Sequence, residues 1–383
     1  MVEELKFPAA PPGWLAADTV ERSRAALDSG LARETWKYSP LPGTLRALLG
    51  APASPRPPLS DVPGGVTISR FSRLAAPPRL ALDLERYPLA GIVASLAGEG
   101  WLVDIERSPD RPVVLSPSTG IDAPVLVRVA PGCQVDILEG NVEGEAPSGV
   151  QAVVRVLAAA RDSTVRWAQA DLASDAEQWA LLQARLEENA SLELHIHAAG
   201  ATFRRLDTHV VLAGAGSAFE ATGASVVGSG AHLDRQLVVE HAGRNTRSRT
   251  RLHNLAAGGS RCSFNGRIHI HPGASGADAD LSNRNLALAA DAVINTKPEL
   301  EIYTDDVRCS HGATVGQLDD NALFFLKSRG LPEPLARRLL SVGFLVECIG
   351  GPLADKVSED FEARLDKLPA EPAATGPHGG ATS

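Results

Sequence analysis

The sequence lacks the motifs of several large enzyme classes. It has no GxxxxGK[ST] loop, no GxGxxG following a strand and no GxSxG elbow, so P-loop ATP hydrolysis, Rossmann dinucleotide binding and α/β-hydrolase chemistry are not indicated. Its four cysteines form no CxxC pair, which excludes a zinc ribbon or a thioredoxin-type motif. Aromatic residues make up only 4% of the 383 residues. A core of small aliphatic side chains suits tightly stacked layers better than a few large aromatic anchors.

Charge and hydropathy limit the partners and the compartment. The net charge of −9 argues against a general nucleic-acid binder. No apolar run reaches the roughly 18 residues that a membrane span needs, so no membrane partner is expected. The first residues, MVEELKFPAAPPGW, show no signal-peptide pattern, and we expect a cytoplasmic protein with free thiols. Hydrophobic residues make up 44%, which permits a sizeable core.

Residues 1–100 predict a mixed, partly helical region. Helical character is visible over residues 20–31, 44–49 and 84–96, the last ended by two glycines. Residues 51–65 are rich in proline and glycine and predict a linker or an irregular loop.

Residues 101–316 predict an all-β body. Short apolar runs alternate with Gly, Asn, Asp and Ser turns, and no long helix interrupts them. The runs that we take as strands are residues 101–105, 113–115, 125–129, 153–157, 192–196, 209–212, 236–239, 267–270 and 286–288.

A loose repeat within this body places a turn residue before a small residue, any residue and an apolar one. It occurs at residues 132–135, 162–165, 189–192, 216–219, 259–262, 291–294 and 312–315. Small residues at tight corners with stacked aliphatic residues inside are typical of a β-helix. A sandwich or a barrel would produce a similar strand texture, so the pattern alone favours the β-helix only slightly.

Residues 317–368 predict a C-terminal helical domain. Asp319 and Asp320 are positioned to cap a helix over residues 322–328, and prolines precede a second helix over residues 335–349. A third, charged helix is expected over residues 355–368, with Phe361 and Leu365 on one side. Residues 369–383 are of low complexity and predict a disordered tail.

The segment TDDVRCSHGATVG, residues 304–316, holds the most informative pair of residues. Cys309 and His311 are two apart in an expected strand, so their side chains would project from the same face. A thiolate and an imidazole are suitable ligands for iron, zinc or copper. Two ligands are only half of the four that a stable cluster or zinc site usually has. The pair is therefore half a site completed by a partner, or it is a buried cysteine beside a structural histidine.

The same segment carries a family resemblance. Residues 304–331, TDDVRCSHGATVGQLDDNALFFLKSRGL, resemble the C-terminal signature of SufD-type members of the SufB/SufD family, subunits of the SufBCD iron–sulfur cluster assembly complex. The NLAL motif at 285–288, NTKPELE at 295–301 and WKYSPL at 36–41 fit the same family. The match is dense over residues 250–350 and patchy elsewhere.

The resemblance implies a fold and a set of partners. The fold would be mainly β, a right-handed parallel β-helix flanked by N- and C-terminal helical segments. The chain would be a non-catalytic scaffold that pairs with a SufB-like paralogue at the C-terminal end of the β-helix and docks the SufC ABC ATPase through its C-terminal helices. It would bind no nucleotide itself. Whether the isolated chain forms a homodimer is left undecided.

The resemblance also assigns site residues. His311 would take part in assembling a transient iron–sulfur cluster at the SufB interface, while Cys309 would be a ligand, a redox-sensitive thiol or a packing residue. Asp305 and Asp306 would belong to the same interface. Flavin binding is known for the whole assembly, and no motif here supports a flavin site. The SufC-docking region would include Phe324, Phe325, Arg337, Arg338 and Phe344.

Two alternatives and several minor motifs remain. The chain is short for a SufB-type scaffold and has CSHGAT where SufB proteins have EHEAT. A β-helix carbohydrate-active enzyme would need paired carboxylates, and aspartates do cluster at 278, 280, 305 and 306, but adjacent strand residues face opposite ways. The HxH pairs 195/197 and 269/271 lack the (β/α)₈ context of a metal hydrolase and are better explained as surface or core-edge histidines. Cys133, Cys262 and Cys348 are expected to pack.

Overall fold

A computed structural model of the chain describes residues 6–8, 10–54, 56–78, 80–140, 149–172 and 176–368. The tail predicted for residues 369–383 lies outside the described residues. The helices are α1 Thr19–Leu27, α2 Gly30–Thr35, α3 Leu41–Leu49, α4 Pro88–Ala97, α5 Asp320–Ser328, α6 Glu333–Val346 and α7 Ala354–Lys367. The strands are β1 Ala53–Ser54, β2 Val66–Arg70, β3 Trp101–Ile105, β4 Val113–Leu115, β5 Gly120–Asp122, β6 Val125–Val129, β7 Gln134–Gly140, β8 Gly149–Ala159, β9 Thr164–Asp171, β10 Ala176–Leu186, β11 Ser191–Ala199, β12 Phe203–Leu212, β13 Ala218–Val227, β14 His232–His241, β15 Arg247–Ala256, β16 Arg261–Ile270, β17 Ala277–Ala287, β18 Val293–Ile302 and β19 Val307–Gly316.

The strands form two stacked parallel sheets that alternate along the chain. The first sheet has the order β18-β16-β14-β12-β10-β8-β6-β3-β2, and the second has the order β19-β17-β15-β13-β11-β9-β7-β4. From β6 onwards, successive strands belong to opposite sheets, and each strand up to β17 pairs with the strand two places further along the sequence. This is a parallel β-helix, and the predicted mainly-β architecture with helices at both ends is confirmed.

The repeat found in the sequence marks the corners of the coils. Gly132, Asp162, Asn189, Gly216 and Gly259 all have positive φ, the left-handed conformation that Gly and Asn adopt most easily. The corners also stack, because the N–H of Asn189 donates to the carbonyl of Ala215 and the N–H of Gly216 donates to that of Arg244, each in the following coil. The prediction of a corner at Gly312 is wrong, since that residue lies inside β19.

Most strands are longer than their apolar runs, because the β-helix buries charged side chains. Only residues 209–212 predict β12 in the sequence, yet the strand begins at Phe203 and includes Arg204, Arg205 and Asp207, each 3% exposed or less. Inside, Arg155 donates to Asp122 at 2.7 Å and to Glu139 at 2.6 Å. Paired in this way, charged side chains are compatible with a dry interior.

The N-terminal region covers the outer face of the first sheet. The helix predicted over residues 20–31 ends at Leu27, because Ser29 is extended and caps α2 by accepting the Ala32 N–H at 3.0 Å. Trp36 then lies over the guanidinium of Arg205, with 3.9 Å from Cζ to the ring centroid. The WKYS segment thereby fastens the helices to the β-helix.

The C-terminal helices pack on the outer face of the second sheet. Leu345, Val357, Phe361 and Leu365 form one buried cluster with small strand residues such as Ala224. The side chain of Asp319 caps α5, as predicted, by accepting the N–H of Asn321 at 2.8 Å. None of the helices in the described ranges is long and apolar enough to cross a membrane.

Candidate functional site

The two ends of the β-helix differ. At the N-terminal end, the terminal strands are β2, which has 5 residues and pairs antiparallel to β3, and β4, which has 3 residues. At the other end, β18 pairs only with β16 and β19 only with β17 among the described strands, so one edge of each is unpaired. Unpaired strand edges are ready templates for another chain. The end formed by β18 and β19, which we call the open end, is therefore the candidate functional site.

Cys309 and His311 lie on β19, as predicted, and on its inner face. Cys309 is in register with Ala279 and His311 with Leu281, and both of these β17 residues belong to the interior cluster. Cys309 is half-buried against that cluster, whereas His311 is exposed because no coil covers it. The two side chains therefore share one face at the mouth of the β-helix interior.

The surroundings keep Cys309 in its thiol form. Burial raises the pKa of Cys309, and the carboxylates of Asp280 and Asp278 raise it further. A metal ligand must be a thiolate, so binding at Cys309 has to be coupled to loss of a proton. Within the described ranges, no group of three or more His, Cys, Asp and Glu side chains is arranged to hold a metal ion. Among the described residues, Cys309 and His311 are thus a pair of side chains of ligand type and not a complete site.

Asp305 and Asp306 lie in the turn before β19 rather than on a strand, so the expectation that they face opposite ways along a strand is wrong. Both are exposed. The carbonyl of Asp306 accepts the Gly276 N–H at 2.7 Å, which stacks this last corner on the preceding one. Of the other two clustered aspartates, Asp278 is engaged by Arg249 at 2.7 Å and Asp280 accepts the Ser310 hydroxyl at 2.5 Å.

Sequence analysis missed an apolar rim around the open end. Val293, Ile302 and Tyr303 on or just after β18, and Val315 on β19, are between 41% and 60% exposed. Such residues normally pack inside a sheet. In the sequence they are indistinguishable from core residues, and only their position on the last coil exposes them. The open end therefore combines unpaired backbone, apolar side chains and two ligand side chains.

The C-terminal helices carry a second exposed apolar surface. Phe324 and Phe325 on α5 are 73% and 54% exposed, and Leu335, Leu339 and Val346 on α6 are also exposed. The other predicted docking residues are engaged within the chain. Arg338 lies 2.9 Å from Glu362, Arg337 donates to the carbonyl of Leu288, and Phe344 stacks on His253 at 4.5 Å between ring centroids.

The remaining histidines and cysteines occupy structural positions. His195 and His197 are 6% and 1% exposed and lie beneath the α6–α7 connection, where Nε2 of His197 donates to the carbonyl of Gly350 at 3.2 Å. His269 and His271 stack at the edge of the first sheet with 4.1 Å between ring centroids. The sequence predicted surface or core-edge positions for both pairs. His269 and His271 lie at such an edge, whereas His195 and His197 are buried. Cys133, Cys262 and Cys348 are buried, as predicted.

Comparison with known proteins gives one consistent result. The family model for the SufBD core domain of SUF-system iron–sulfur cluster assembly matches residues 115–344, more than half of the chain. The chain is similar to the iron–sulfur cluster assembly protein SufD of Escherichia coli, with 31% identity over 185 residues, 48% of this chain and 44% of that protein. It is also similar to a SufBD family protein of Mycobacterium leprae, with 33% identity over 61% of each chain. The chain thus spans about half the length of these relatives.

Proposed function

Because this chain belongs to the SufBD core family of iron–sulfur cluster assembly proteins, we propose that it is a SufD-type scaffold subunit rather than an enzyme. The observation that carries the proposal is the open end, where half of a ligand set lies beside unpaired strands. The similarity to a protein named SufD in Escherichia coli supports the SufD-type role over the SufB-type role.

The open end would pair with a SufB-like paralogue. The unpaired edges of β18 and β19 offer backbone hydrogen bonds, and the apolar rim of Val293, Ile302, Tyr303 and Val315 offers area to bury. The exposed carboxylates of Asp305 and Asp306 lie beside this surface, where they would steer a basic partner and fix the orientation of the pair.

His311, with Cys309, would supply one half of the surroundings in which a transient iron–sulfur cluster is built as cargo. The imidazole of His311 is exposed at the mouth of the β-helix, so a partner docked there reaches it directly. Cys309 lies two residues before His311 on the same face and is more buried. Because its pKa is raised, the thiol has to lose a proton before it can bind, which makes Cys309 the weaker ligand of the two. The partner would complete the ligand set, and the cluster would be buried between the two chains.

The second apolar surface would dock a SufC-like ATPase. Phe324 and Phe325 project from α5, and α6 connects this helix to the outer face of the second sheet. Closure of two ATPases, one on each subunit, would pull on both C-terminal helical segments and so change the contacts at the open end. Such coupling requires contacts that differ between the two states.

The first test is cluster assembly by the whole complex. The chain is co-expressed with its SufB-like and SufC-like partners as wild type, His311→Ala, Cys309→Ser and Arg308→Ala. We expect all four complexes to form, and we expect His311→Ala to lose iron–sulfur reconstitution measured by absorbance and by bound iron and sulfide. Arg308→Ala is the matched control, because Arg308 lies on the same strand but points to the other face.

Each outcome is distinct. Normal cluster assembly by His311→Ala would show that His311 is structural and that the chain only shapes the interface. Loss of cluster assembly in Cys309→Ser as well would identify the thiol as a ligand. Normal cluster assembly in Cys309→Ser would identify it as a packing residue. Failure of the wild-type chains to form a complex would refute the proposed partners.

A further inference from the structure

A buried arginine inside the β-helix has no direct ion-pair partner among the described residues. Arg235 lies on β14 and is 3% exposed, with its side chain on the same face as the interior residues Leu237 and Val239. Its Nη2 donates to the carbonyl of Ile196 at 3.1 Å. Its Nε and Nη1 have no hydrogen-bond partner, and no carboxylate within the described ranges forms an ion pair with it. Nearly all buried charges are paired, so this arrangement is costly unless something else occupies the site.

Arg235 borders an internal cavity. The cavity has a volume of about 20 Å³. Besides Arg235, its lining includes apolar residues such as Ile196, Leu237 and Phe264, and also the ion pair of Glu139 with Arg155. A space of this size holds one water molecule or one small ion, since a single water needs about 10–15 Å³. Most of the wall is apolar, which favours a weakly hydrated occupant over a strongly hydrated one.

No neighbouring acid in the described part of the chain contacts Arg235 directly: the charge of Asp171 acts on it only from a distance, without an ion pair. The carboxylate of Asp171 accepts hydrogen bonds from Gln169 at 2.8 Å and Gln178 at 2.7 Å, and Glu139 is paired with Arg155. Cys262 is the other nearby acid, but burial raises its pKa to about 12, so it is a neutral thiol.

Arg235 itself stays charged. Burial lowers its pKa to about 10, which still leaves it protonated at neutral pH. A positive charge with two free N–H groups therefore faces a small apolar space.

We propose that Arg235 and this cavity form an internal binding site for one small, weakly hydrated monoanion of the halide or hydrosulfide type. The free Nε–H and Nη1–H donate to the anion, and the apolar residues exclude water from it. A water molecule would fill the space and accept a hydrogen bond, but it would leave the guanidinium charge uncompensated. The site lies within the coils and is separate from Cys309 and His311.

Bromide is the probe, because it has a measurable X-ray absorption edge. Crystals of the full chain equilibrated with sodium bromide are expected to show an anomalous peak within hydrogen-bonding distance of Arg235 Nε and Nη1. The same peak should weaken when hydrosulfide is added if hydrosulfide competes for the site, and should be unaffected if the site is selective for halides. A water molecule at that position with no bromide peak overturns the proposal.

Thermal unfolding in solution provides the second measurement. We expect bromide to raise the melting temperature by roughly 2–4 °C relative to gluconate at equal ionic strength, because an ion that binds only the folded state stabilises that state. Arg235→Met should lose this increment, whereas Arg249→Met, which removes a partly exposed arginine paired with Asp278, should keep it.

Arg235→Lys covers the case in which the methionine variant does not fold. It keeps the charge but loses the two-donor geometry, and we expect bromide binding to weaken by about tenfold. An increment that is equal in wild type, Arg235→Met and Arg235→Lys would show that bromide acts elsewhere, and the proposal would fail.

Discussion

Arg205 illustrates how single charged residues determine the packing of the N-terminal region on the β-helix. It is 2% exposed, pairs with Asp207 at 3.0 Å and with Asp234 at 2.9 Å, and donates to the carbonyl of Thr35 at 2.8 Å. Trp36 covers its guanidinium. One side chain thus joins two strands of the first sheet to α2, and its removal leaves two buried carboxylates without a cation.

We predict that Arg205→Leu lowers the free energy of unfolding by about 3–5 kcal/mol, the usual cost of breaking a buried ion pair by removing one partner. Urea titration of the purified chain measures it. The deficit should shrink as the pH falls from 7 towards 5, because the orphaned carboxylate of Asp207, whose pKa is raised by burial, becomes neutral by taking up a proton.

Arg166→Leu is the control for this prediction. Arg166 also pairs with an aspartate, Asp136, but its side chain is 51% exposed, and such pairs contribute at most about 1 kcal/mol. Equal losses for the two variants would show that the Arg205 network does not stabilise the fold beyond an ordinary surface pair.

Arg205 also shows where sequence-based prediction failed. Strands β3, β4 and β6 were predicted to the residue, since their apolar runs coincide with the strands. The first half of β12 was missed, because hydrophobic periodicity does not reveal that two adjacent arginines, Arg204 and Arg205, are both buried, one on each face of the sheet. The Cys309–His311 pair was predictable because alternation alone fixes its shared face. The apolar rim was not, because exposure depends on being the last coil.

At the scale of elements, the connection between α6 and α7 rests on a neutral histidine. The Ala224 N–H donates to Nδ1 of His197 at 3.3 Å, and Nε2 of His197 donates to the carbonyl of Gly350. Both nitrogens are engaged only in the neutral ring. Burial, with smaller contributions from the nearby Arg235 and His195, lowers the pKa of His197 to about 4.

Docking of these helices is therefore expected to weaken in acid. An undocked His197 would titrate near its ordinary pKa of about 6.5, so the undocked state binds more protons below that pH and docking loses stability as the pH falls from 6.5 towards 4. At pH 5 the loss is about 2 kcal/mol, or roughly a 30-fold increase in the opening equilibrium.

Hydrogen exchange followed by mass spectrometry measures this opening in α6 and α7, after correction for the intrinsic effect of pH. His197→Gln is the informative variant, because an amide keeps one donor and one acceptor but does not titrate. We expect its exchange to be nearly independent of pH over this range. Wild-type exchange that is equally flat would show that another group controls docking.

At the scale of the whole molecule, the chain has two exposed apolar surfaces on different parts of the fold. One is the rim of the open end, and the other is the α5 surface with Phe324 and Phe325. Because α5 belongs to the C-terminal helices outside the β-helix, a substitution on one surface should leave the other unchanged. Without ATP, the proposed paralogue and the proposed ATPase would then bind independently, and coupling between the two surfaces would arise only when the ATPases close.

This independence gives the last prediction. Ile302→Lys places a charge on the rim, and we expect it to abolish pairing with the SufB-like paralogue while leaving SufC-like ATPase binding within about twofold of wild type, measured by co-purification and sedimentation. Phe324→Lys should do the reverse. Any homodimer of the isolated chain should disappear with Ile302→Lys only, because the open end is where, among the described residues, long unpaired strand edges and exposed apolar side chains coincide. If Ile302→Lys leaves pairing with the paralogue intact, the partner does not dock on the open end, and Cys309 and His311 lose their proposed role as half of a shared site.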